Sequence, residues 1–139
     1  MKRIFAIALL AILGATSVQA AGYKVIVNPA NPTSLLAKKD LSAYFLKKKP
    51  KWDDGTPVVA VDQSDKSGAR ESFTTAVHGK PVAAIKSYWQ QQIFSGRDVP
   101  PVEKATDAEV IAFVRSNRDA IGYVADDVPL AGVKVVNVQ

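Results

Sequence analysis

Apolar residues along this chain follow two rhythms. Short runs rich in β-branched residues read as strands: Tyr23-Lys24-Val25-Ile26-Val27-Asn28, Val58-Val59-Ala60-Val61, Ala120-Ile121-Gly122-Tyr123-Val124 and residues 133–138. Between them, apolar positions three or four apart predict helices. Leu41 and Phe45 mark one over 35–46. Ala69, Phe73 and Val77 mark a second, Val82, Ile85, Trp89 and Ile93 a third, and Val110, Phe113 and Val114 a fourth. Breakers separate these pieces. Residues 28–34 hold two prolines and two asparagines and read as a loop, and Pro50 after Lys47-Lys48-Lys49 ends the first helix. Asp54-Gly55 pivots a turn, Gly79 closes the second helix and Pro81 opens the third. Ser95-Gly96 ends that helix and 97–104, with Pro100-Pro101, reads as a loop. Thr106-Asp107-Ala108-Glu109 is a capping box. Strands alternating with helices predict an α/β fold: one domain, a three-layer-like mixed sheet flanked by helices.

The two ends and the composition narrow the setting. Lys2 and Arg3, the apolar stretch 4–15 and Val18-Gln19-Ala20 have the order of a secretory signal peptide, so residues 1–20 are expected to be removed and 21–139 to form the domain. The expected location is periplasmic or otherwise secreted. There is no cysteine, so neither a disulfide nor a thiolate nucleophile is available. Loss of Lys2 and Arg3 takes the formal charge from +5 to +3, too mild for a nucleic-acid-binding stripe and compatible with a small anion. His78 is the lone histidine; a metal cluster built on histidine is excluded, and a surface position at a helix end is its expected role. No Gly-x-Ser-x-Gly elbow is present, and the doublets Asp53-Asp54 and Asp126-Asp127 sit beside Gly or Pro as turn residues do. These readings speak against an enzyme and against any cofactor. Trp52, Trp89 and Tyr123 are expected to pack in the core.

The stretch with the clearest chemistry is Gln63-Ser64-Asp65-Lys66-Ser67-Gly68, between the second strand and the second helix. The first N–H groups of a helix have no intrahelical partner, and the macrodipole is positive at that end. Serine hydroxyls add donors, so the junction suits an anion. The same residue types also serve as ordinary N-caps.

Four segments in order resemble the phosphate-binding proteins of ABC phosphate importers, a type II periplasmic binding protein family. They are Asp40-Leu41-Ser42-Ala43-Tyr44-Phe45-Leu46-Lys47, Lys51-Trp52-Asp53-Asp54, the Val61-to-Gly68 loop and Ala120-Ile121-Gly122-Tyr123-Val124. The resemblance implies that Ser67 and Gly68 donate to oxyanion oxygens while Asp65 accepts from a protonated one. Gln63 stands where that family has an arginine, and losing a bidentate guanidinium removes a strong anion contact. Arg70 or Lys66 is the candidate substitute. Ser64, Thr33 and Ser34 could add hydroxyls, the last two being equally readable as a helix cap. The resemblance covers only part of a two-lobed protein, whose opening segment is missing here.

Two functions follow as expectations. The first is an extracytoplasmic solute-binding protein that takes phosphate or another small oxyanion at Gln63, Ser64, Asp65, Ser67, Gly68 and Arg70, with Thr33 and Ser34. Its partner would be an ABC permease or another envelope protein, and a second copy of the chain could complete the cleft as a homodimer. The alternative is an interaction or sensing module of the envelope that keeps the fold without high-affinity binding.

Overall fold

A computed structural model describes residues 22–139; the leader expected over 1–20 lies outside the described residues. Six strands form one mixed sheet: β1 (Tyr23–Val27), β2 (Leu35–Leu36), β3 (Val59–Gln63), β4 (Val102–Lys104), β5 (Ala120–Ala125) and β6 (Lys134–Val138). Their order across the sheet is β2-β6-β1-β5-β3-β4. β1 runs antiparallel to both β5 and β6, whereas β3 pairs in parallel with β4 and β5. Four α-helices accompany them: α1 (Lys38–Phe45), α2 (Gly68–Phe73), α3 (Val82–Phe94) and α4 (Asp107–Ser116). A π-helical turn, Thr74–His78, continues α2 and ends at Gly79, whose φ of 64° supplies the left-handed C-cap.

The pleat sends alternate residues to opposite faces, and each face has its own core. Val25, Val27, Ala60, Ile121 and Tyr123 meet α1, α2 and the π turn. Ile26, Val61, Ala120 and Val124 meet Val110, Ile111 and Val114 of α4. The expected three-layer arrangement is therefore what forms. Gly122 lets α4 lie close to the sheet: a Cβ there would come within 2.8 Å of both Val110 Cγ1 and Val61 Cγ1. The capping box forms as read, with Glu109 N–H donating to Thr106 Oγ1 at 3.2 Å and Thr106 N–H to Glu109 Oε2 at 3.3 Å.

The observed elements depart from the sequence reading in three places. Leu35 and Leu36 do not open a helix; they form β2 alongside the end of β6. The helix begins after Ala37, and the Lys38 N–H is satisfied by the Gln139 carbonyl at 2.8 Å, so no hydroxyl cap is used. Residues 102–104, read as loop, form β4 against β3. On α3, Ile85 and Trp89 are buried but Ile93 is not.

Candidate functional site

The junction between β3 and α2 folds as a capped turn. Ser67 N–H donates to the Ser64 carbonyl at 3.0 Å, which closes the turn. The Ser67 hydroxyl accepts from Arg70 N–H at 3.3 Å and is the N-cap of α2. It also donates to Gln63 Oε1 at 2.5 Å. The Gln63 amide in turn donates to the Tyr123 carbonyl at 2.8 Å and to Asp107 Oδ1 at 2.7 Å. Gln63 is thus a buried strut joining β3, β5, α4 and the cap, with all its side-chain bonding spent inside the protein.

Arg70 also turns inward. Its side chain is 3% exposed, and Nη1 donates to the Gln63 carbonyl at 2.6 Å and to Glu103 Oε1 at 3.1 Å. Its Nε lies 3.4 Å from Asp62 Oδ1, close enough for charge attraction, though no aligned acceptor among the described residues takes that N–H. The Tyr123 hydroxyl donates to Asp62, and Gln63 N–H reaches Asp62 Oδ1 at 3.0 Å. Burial pushes Asp62 above the usual carboxylate range, against the pull of Arg70 and Tyr123, and pushes the Tyr123 phenol up as well. The sequence offers Arg70 as a substitute for the missing anion-binding arginine, and on a helix it could equally face solvent. It does neither, because two carboxylates hold its guanidinium beneath the loop.

Of the remaining candidates, Asp65 is exposed and pairs with Lys86 Nζ at 2.7 Å, a contact that lowers its pKa. Lys66 is exposed on the turn, and its N–H reaches Ser64 Oγ at 3.4 Å. Ser67, Gly68 and Ala69 open onto a cavity of about 340 Å³ that Asp107, Asp126 and Asp127 also line. Thr33 is elsewhere, in a cavity of about 260 Å³ beside Trp52, Asp53 and Arg118. Ser34 shares that cavity and also a broad groove of about 960 Å³ that runs along the α2 side past Gly68 and Ser72. The two hydroxyls of the 28–34 loop therefore do not join the Ser67 cavity. They are not a helix cap either, since the residue before α1 is Ala37.

His78 corrects another expectation. It is half-buried rather than on the surface, with Nδ1 2.8 Å from Ser42 Oγ and its ring edge-on to Phe73. Burial, then the charges of Arg70, Lys80 and Lys48, lower its pKa from the ordinary 6.5 to about 4. A base with a depressed folded-state pKa stabilises the fold fully above its unfolded value and loses that contribution as pH falls. Between pH 6.5 and about 4, the protein is expected to lose about 1–2 kcal/mol more than a His78→Gln variant, after solvent screening. Urea titrations at stepped pH would read this; parallel stability curves would show that His78 is not the group responsible.

The mixed sheet between helical layers is the arrangement of one periplasmic-binding-protein-like domain. The sequence agrees over nearly its full length: residues 10–137 match the family model described as a PBP superfamily domain, and the chain belongs to that family. The fold is similar to an ABC-type phosphate transport receptor from Vibrio cholerae, with TM-score 0.66, 19% identity, and 84% of this chain aligned to 46% of that one. It is also similar to a Clostridium perfringens protein assigned as a phosphate ABC transporter substrate-binding protein and solved with bound phosphate. There the TM-score is 0.67 at 23% identity, over 84% of this chain and 44% of that one. PstS from Borrelia burgdorferi aligns with TM-score 0.63 at 12% identity, over 84% and 47% of the two chains. The chain spans less than half the length of these structures. No curated protein matches the sequence.

Proposed function

We propose that this is an extracytoplasmic solute-binding domain, without catalytic activity, that takes phosphate or a related oxyanion weakly at the start of α2. The observation that carries this reading is the open first turn of the helix. Ser67 caps it, the Gly68 and Ala69 N–H groups have no partner within the helix, and all three residues face one cavity. Asp65, on the turn two residues before Ser67 and paired with Lys86, is the candidate acceptor for a protonated anion oxygen once Lys86 releases it, and Ser64 precedes it on the same turn. The solved relatives named for phosphate transport support the ligand class. Affinity is low in this reading because Gln63 and Arg70 are committed inside. The cavity wall also carries Asp107, Asp126 and Asp127, whose negative charge opposes an anion. An ABC permease or a second copy of the chain would be the partner that completes the site.

A second reading, an envelope interaction module without anion binding, is favoured by that same acidic wall. Calorimetric titration of the chain from Ala21 separates the two. Saturable heat with phosphate, weaker with sulfate and lost in Ser67→Ala, is the expected result. Removing the hydroxyl cap costs about 0.5–2 kcal/mol of stability, so the variant should remain folded. Absence of heat with both anions would leave the interaction module as the function.

A further inference from the structure

The last turn of α3 and the segment that follows it carry an apolar tip that the anion site does not use. Phe94 is 95% exposed, and Ile93, Val99 and Val102 are each about half exposed or more, at 52%, 59% and 49%. They fall within ten residues of one another, where α3 turns back toward β4. None of the three cavities described above is lined by these four residues. A phenyl ring this bare projects from the surface instead of lining a groove, and exposed apolar side chains gathered in one short segment offer a contact surface.

Basic residues outnumber acidic ones near the tip: Lys47, Lys48, Arg97 and Lys104 stand against Asp98 and Glu103. From Ser72 to Arg97 the chain contains Lys80, Lys86 and Arg97 and no Asp or Glu. The end of α1 adds Lys48, whose Nζ stands 5.8 Å from the Tyr88 ring centroid on α3. The nearest acids are already answered: Asp98 by Lys47 at 3.7 Å, Glu103 by Arg70 at 3.1 Å and Asp65 by Lys86 at 2.7 Å. Arg97, three residues past Phe94, and Lys48, beside the Tyr88 ring in the middle of α3, have no ion-pair partner among the described residues.

We propose that the end of α3 docks the domain peripherally on an anionic lipid surface, Phe94 and Ile93 entering the headgroup boundary while Arg97 and Lys48 face lipid phosphates. No helix among the described residues is long and apolar enough to cross a membrane, so the contact lies on the surface. A lipid layer deforms around a projecting ring, whereas a protein partner needs a matching hollow. Basic residues beside an apolar insertion are the arrangement that anionic membranes hold. This does not depend on the anion site at α2.

The test is co-sedimentation of the chain from Ala21, which carries every described element, with vesicles of phosphatidylcholine alone and with phosphatidylglycerol added. Binding is expected only to the phosphatidylglycerol vesicles and should weaken as salt is raised. Phe94→Ser should lower the partition coefficient roughly tenfold, and Lys48→Gln and Arg97→Gln about fivefold each. Lys24→Gln, on β1, should change it less than either. These side chains lie at the surface, and circular dichroism would verify that each variant is folded. Absence of binding, equal binding to both vesicle types, or unchanged binding by Phe94→Ser would each overturn the proposal. So would a concentration-dependent dimer in sedimentation velocity that Phe94→Ser abolishes, because a second copy would then be what covers the tip.

Discussion

Replacing Arg70 by Met is expected to destabilise the fold by about 3–5 kcal/mol at neutral pH, because it strands a buried charge. Met fills much of the volume, so the loss is electrostatic more than steric. Asp62, buried at the end of β3, would keep the Tyr123 hydroxyl and Gln63 N–H as partners but lose its counter-charge, and the Gln63 carbonyl would lose its donor. Asp62 already titrates above its ordinary value of 3.8. A carboxyl raised in the folded state stabilises fully below its unfolded pKa and loses that contribution as pH rises through the folded one. The deficit of Arg70→Met should therefore shrink as the solution is acidified toward pH 3.8. Adding Asp62→Asn should recover most of it at neutral pH. Urea unfolding of the two single variants and the double variant at two pH values gives the coupling directly. A deficit independent of pH, or a double variant no better than Arg70→Met, would show that Asp62 is not the group left stranded.

Phe73→Ala should cost a similar amount, about 3–5 kcal/mol, through a different mechanism. The ring is fully buried and lies flat on Tyr123, with centroids 3.9 Å apart and planes 5° from parallel. Phe45 at 4.7 Å and Tyr23 at 5.5 Å enclose it from α1 and β1. Truncation leaves a cavity among rigid aromatic neighbours that cannot collapse into it, and it frees α2 at the point where the helix is held to β5. Phe73→Leu retains most of the volume and forfeits chiefly the ring contacts, worth about 0.5–1.5 kcal/mol per aromatic pair. Thermal and urea unfolding of the two variants would rank them. Equal losses would mean that ring geometry, and not filled space, is what the site requires.

Much of the architecture was legible because it rests on repetition. Val25, Ile26 and Val27 alternate between two faces, and both cores were foreshadowed by that alternation and by the four-residue spacing of Phe73 and Val77. The capping box and Gly79 were readable because each meets a local need of the backbone. β2 and β4 were not. Strands of two and three residues carry too little pattern to show a period, and they exist because β6 and β3 offer them an edge. The site was legible in outline only. Ser67 as a cap follows from its place before a helix. The inward turn of Arg70 depends on Asp62 and Glu103 meeting it across the fold. One signal was present: Arg70 falls on the stripe of Phe73 and Val77, and Asp62 continues an apolar strand. A charge of each sign at two core-facing positions suggests a buried pair.

The sheet order has a consequence for how this unit can be carried in longer chains. β1 and β6 are antiparallel neighbours inside the sheet, Val25 opposite Val136, so the start of β1 and the end of β6 lie side by side. Such a unit can be spliced as a single passenger into a surface loop of another protein without prising its host apart. Equally, its ends could be ligated and a fresh opening made at the exposed Asp54-Gly55 turn. Accretion of a second lobe onto this framework, or its loss, then requires no rethreading of the sheet.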